Sequence, residues 1–146
     1  MIDTPTVDWL ALSPTIALLG AAAVALLAEV IVPDWMRKSV AAAVALVGFV
    51  VAAVLAGVVF DETPTPEVLL DGSMVRDQLA ALAQVILAVT GAVVVLVSWG
   101  ERRRDNHGEY YALLAAAGAG MVFFVGAENL MTLFLGLEWF SLCLYI

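Results

Sequence analysis

Apolar residues along this chain fall in long runs separated by short polar stretches. A helical crossing of a bilayer needs about 20 apolar residues, and by that criterion the chain supplies about five such runs. The first is predicted from Ser13 to Val32, with Pro14 in its opening turn, where a missing N–H is harmless, and Pro33 as its stop. The second runs from Val40 to Phe60, the third from Gln78 to Trp99 and the fourth from Tyr110 to Val125. A fifth begins at Leu130 and is still running at Ile146, so it reads as cut short. The pattern predicts an all-α fold, a polytopic transmembrane helix bundle, with residues 1–146 forming a single membrane domain of a longer protein.

The polar stretches orient these helices. Arg37 and Lys38 follow the first run, and Arg102, Arg103 and Arg104 follow the third, so both connections are expected on the cytoplasmic side. The N-terminus, the loop from Asp61 to Asp77 and the tight link Gly126-Ala127-Glu128-Asn129 then fall outside, where Arg76 is the one basic residue among many carboxylates. Trp9, Trp35, Trp99, Tyr110 and Tyr111 sit at the expected interfaces, as an aromatic belt. The outer loop carries Thr63-Pro64-Thr65-Pro66 and Asp71-Gly72, which predict an irregular or hairpin-like segment rather than another helix. Stripes of small residues, Gly48-Ala52-Ala56 and Ala112-Ala116-Gly120, predict close helix packing.

Composition strengthens the membrane assignment. A chain of 146 residues that is 64% hydrophobic and 14% charged has too little interior to bury its apolar surface in water. Its mean hydropathy is +1.03. The net charge of −8 comes mostly from carboxylates between the apolar runs, and no basic footprint for nucleic acid is present. The acidic start lacks the positive leader of a removable signal peptide, so the first run is expected to stay in the membrane. Cys143 is the sole cysteine and His107 the sole histidine, which argues against a disulfide within the chain, an iron–sulfur cluster or a metal site. No Ser-His-Asp set, P-loop or dinucleotide fingerprint points to catalysis by nucleophile or nucleotide, so no catalytic residue is assigned.

Two carboxylates fall inside predicted helices, Glu29 and Glu138. A charge in the hydrocarbon core costs on the order of several kcal/mol, so such residues are expected to face a protein interior or a water-filled path. Glu138 lies about 12 Å along its helix from Leu130, near the membrane centre. Ser141 and Tyr145 follow it on the same helical face, giving a carboxyl and two hydroxyls in an otherwise apolar segment. That set suits proton transfer: desolvation favours the neutral carboxyl, a neighbouring lysine the charged one, and moving the lysine switches between them. Lys38 lies in a predicted loop, so a partner at that depth must come from elsewhere. The structural alternative is a carboxyl bonded to a neighbouring helix, with Ser141 bonding its own backbone. Glu29, one turn from the cytoplasmic end of the first helix, is a weaker proton-transfer candidate, and an interfacial or subunit contact is the simpler reading. His107 titrates in the useful range but is expected in a solvated loop. The Arg102–Arg104 run is expected to meet anionic headgroups.

The segments His107-Gly108-Glu109-Tyr110-Tyr111-Ala112-Leu113-Leu114, Gly120-Met121, Glu128-Asn129-Leu130-Met131-Thr132-Leu133-Phe134-Leu135-Gly136-Leu137-Glu138 and Ser141-Leu142-Cys143-Leu144-Tyr145 resemble the antiporter-like subunits of respiratory complex I, NADH–quinone oxidoreductase, and most of all its subunit N. Asp8-Trp9, Pro14, Ala28-Glu29-Val30-Ile31-Val32-Pro33 and Leu70-Asp71-Gly72 fit the same resemblance. It implies a bundle built on an inverted repeat with interrupted helices, of which this chain is the N-terminal part. It further implies proton translocation coupled to electron transfer in other subunits. There NADH, FMN, iron–sulfur clusters and quinone are expected, with no cofactor bound by this chain. The implied partners are the other membrane subunits, lipid and protons, and the implied location is a bacterial inner membrane. The family's glutamate on the fifth helix matches Glu138, while its lysine partner on a later helix matches nothing here. Two alternatives remain: a subunit of a multisubunit sodium/proton antiporter of the same superfamily, and a membrane scaffold that transports nothing.

Overall fold

The computed structural model describes residues 7–100 and 107–146, with the side chains of Asp71 and His107 excluded. The described residues form helices α1 (Trp9–Ile31), α2 (Asp34–Asp61), α3 (Gln78–Trp99), α4 (His107–Val125) and α5 (Leu130–Tyr145), and a hairpin of β1 (Glu67–Leu69) and β2 (Met74–Arg76). This is the expected all-α bundle. Helices α1 to α4 are long and apolar enough to cross a membrane, while α5 is a shorter apolar helix. α1 packs against α2 and α4, α2 against α3, and α4 against α5.

Several helix starts lie earlier than the apolar runs suggest, and at α1 a polar side chain supplies the cap. Asp8 accepts hydrogen bonds from the N–H groups of Leu10 (2.9 Å) and Ala11 (3.3 Å), so α1 begins at Trp9 rather than Ser13. Pro14 therefore lies inside α1 and not in its opening turn. Its missing N–H leaves the Leu10 carbonyl without the usual donor four residues on, and the Ser13 hydroxyl donates to that carbonyl instead, at 2.7 Å. α2 begins at Asp34 instead of Val40, so Arg37 and Lys38 lie in its first turns and not in a loop. Arg37 reaches back to close α1, its Nε donating to the Val32 carbonyl at 3.0 Å. α4 likewise starts at His107 instead of Tyr110. The Arg102–Arg104 run lies outside the described residues.

The core is built from alanines and one large ring. Leu18, Ala45, Phe49, Ala52, Ala88, Ala115 and Ala119 are buried together. Phe49 of α2 fits where α3 and α4 carry glycines: a Cβ at Gly118 would lie 2.6 Å from the ring, and one at Gly91 would overlap it. Gly48, Ala52 and Ala56 are all buried, in keeping with the close approach their spacing predicts. Tyr111 departs from the expected aromatic belt: it is buried in the core, edge-on to Tyr110 at 5.1 Å, whereas Trp9 and Trp35 are exposed.

The segment between α2 and α3 forms the anticipated hairpin. β1 and β2 pair antiparallel, with Glu67 opposite Arg76 and Leu69 opposite Met74, and Gly72 takes a positive φ of 84° in the turn. The hairpin is fastened to the α4–α5 link: Val75 N donates to Gly126 O (2.9 Å) and Glu128 N to Ser73 O (3.1 Å). The start of α1, the hairpin and the α4–α5 link thus share one end of the bundle. The α1–α2 link and the start of α4 share the other.

Candidate functional site

Helix α5 carries the expected proton-transfer residues, and its packing on α4 decides where they face. Asn129 caps the helix, its Oδ1 accepting from Thr132 N at 2.8 Å. Two glycines let the helices meet closely: a Cβ at Gly136 would lie 2.9 Å from the Phe124 Cα, and one at Gly120 would lie 2.9 Å from the Phe140 nitrogen. Ring pairs Phe124–Phe140 and Phe123–Trp139, each at 5.9 Å, complete the contact. The α4-facing side of α5 is thus Thr132, Gly136, Trp139 and Phe140.

Glu138 lies two residues from Gly136, a rotation of roughly 200° about the helix axis. It faces away from α4 and is exposed. Tyr145 shares that side and is 87% exposed, with Ser141 half-buried at its edge. The three residues share the outward side of α5, as the spacing predicts. The enclosure expected for Glu138 is not supplied by the described helices: no hydrogen bond or ion pair to its carboxyl forms among the described residues.

Glu29 is placed differently. Its Oε2 accepts from Gly108 N, in the first turn of α4, at 2.8 Å, and its side chain is 24% exposed. Arg37 Nη1 lies 3.9 Å from Oε1 and 2.8 Å from Asp34 Oδ1. A carboxylate on the N–H groups that open a helix meets the positive end of the helix dipole, so Glu29 joins α1 to α4. His107 begins α4 beside this contact, and its side chain lies outside the described residues. Among the described residues no group of three His, Cys, Asp or Glu side chains forms a metal site.

No family model matches the chain. Individual relatives do. Subunit N of NADH-quinone oxidoreductase from Salinispora arenicola is 32% identical over 99% of the chain, and subunit N 1 from Koribacter versatilis is 34% identical over 95%. Subunit N 1 from Symbiobacterium thermophilum is 44% identical over 51% of the chain. Over nearly its whole length the chain is similar to subunit N of NADH-quinone oxidoreductases. It spans 32%, 29% and 15% of the lengths of these three relatives, in that order. With its apolar helices, this subunit N relative is a multi-pass membrane protein.

One polar cluster of this subunit N relative was missed in the sequence. Arg76 of β2 is 12% exposed and donates to Asp8 Oδ2 (2.9 Å), to Thr63 Oγ1 (2.7 Å) and to the Glu62 carbonyl (3.5 Å). It ties the cap of α1 to the end of α2 and the hairpin. Its position as the lone basic residue in the acidic stretch from Asp61 to Asp77 was the available signal.

Proposed function

We propose that this chain is part of a proton-translocating membrane subunit of an NADH–quinone oxidoreductase, in which electron transfer in other subunits drives protons across the membrane. Glu138 carries the proton, with Ser141 and Tyr145 as hydroxyl neighbours. NADH, FMN, iron–sulfur clusters and quinone belong to those other subunits. The chain lies in a bacterial cell membrane, with its N-terminus and hairpin outside and the Glu29–Arg37 end in the cytoplasm.

The observation that carries this reading is the carboxyl of Glu138 midway along an apolar helix, on a side of α5 that no described helix covers. A carboxyl there is strongly disfavoured against lipid and requires a polar path or a cation. The relatives are roughly three or more times longer than this chain, so the complete subunit has more protein to place against that side. Their shared name favours the oxidoreductase over the sodium/proton antiporter.

The test is the surroundings of Glu138 in a structure of the complete complex. The reading requires water, a hydroxyl or a basic side chain within about 4 Å of the carboxyl. Acyl chains alone against it would contradict the reading.

A further inference from the structure

The side chain of Gln84, in the outer half of α3, is 6% exposed. Its Nε2 donates to the Val122 carbonyl of α4 at 3.3 Å, which fixes the orientation of the amide. Its Oε1 is buried, and among the described residues no donor reaches it. A buried amide oxygen left so costs more than immobilising one water beside it.

Gln84 also lines a small cavity beneath the hairpin, closed by Met74, Val75, Arg76, Asp77 and Ala81. The space it leaves for the centre of a water-sized sphere is about 10 Å³, enough for one water.

We propose that this cavity is a binding site for a single water molecule, which donates a hydrogen bond to Gln84 Oε1 and joins α3, α4 and the hairpin at the outer end of the bundle. The chemistry of the wall selects the occupant. An apolar cavity of this size stays dry, but the residues lining this one include Gln84, Asp77 and Arg76. A metal or ammonium cation is disfavoured by the adjacent Arg76. That guanidinium is itself directed at Asp8, Thr63 and Glu62 and so is not free to serve Gln84.

The site is tested by an experimental map of the intact complex at a resolution that orders buried waters. The expected result is an isolated density within about 3 Å of Gln84 Oε1, at hydrogen-bonding distance and with no side chain accounting for it. The same map of Gln84→Leu should lose that density, and Gln84→Glu, which keeps an acceptor, should retain it. A dry cavity in the unsubstituted protein, or a donor side chain from another segment in contact with Oε1, would overturn the proposal whether or not the variants assemble.

Discussion

The backbone N–H of Gly108 donates to Glu29 Oε2 at 2.8 Å, so the end of α1 caps the start of α4 across 79 positions of sequence. The contact requires a glycine, because a Cβ at 108 would overlap the Glu29 carboxylate. Gly108→Ala should therefore destabilise the protein by about 1–3 kcal/mol through overpacking. Glu29→Ala, which removes the acceptor, should cost about 1 kcal/mol, and Glu29→Gln, which keeps an acceptor, less. Denaturation of the purified protein in detergent gives the ranking. If Glu29→Gln proved worse than Gly108→Ala, a capping role would not explain it.

Arg76 gives a second stability prediction. The Asp8–Arg76 pair is mostly buried, with side chains 22% and 12% exposed, so its loss should fall between the limits for exposed and buried pairs, about 1–3 kcal/mol. Arg76→Met leaves Asp8 and Thr63 without their shared donor, and Asp8→Asn should cost less in the Arg76→Met background than alone. A double-mutant cycle measures this coupling. Additive effects would mean that the two residues act independently.

The orientation is tested by labelling. In the otherwise cysteine-free complete subunit, a cysteine at Ser73, in the hairpin turn, should react with an impermeant thiol reagent from outside the cell. A cysteine at Lys38 should react only after the membrane is opened. The reverse pattern would invert the bundle.

The helices were legible in the sequence because long apolar runs report directly on a lipid environment, and the hairpin because Asp71-Gly72 and the prolines report on local backbone. What escaped depends on contacts distant in sequence. Arg37 and Lys38 read as loop residues, yet α2 includes them, since polarity marks a membrane boundary and not a helix end. Tyr111 read as an interfacial aromatic, yet α4 turns it into the core. Glu29 showed no sign of its partner, because a backbone N–H has no signature in sequence. The spacing put Glu138, Ser141 and Tyr145 on one side of a helix. Which side α4 covers was set by Gly120, Gly136 and the aromatic pairs, and that relationship belongs to packing.

Glu138 remains the residue on which the functional account turns. The most direct measurement is proton movement per electron in membrane vesicles carrying the complete complex with Glu138→Gln, set beside the unsubstituted complex and Glu29→Gln. An assembled Glu138→Gln complex is expected to move markedly fewer protons, while Glu29→Gln pumps normally. Undiminished pumping by an assembled Glu138→Gln complex would contradict it.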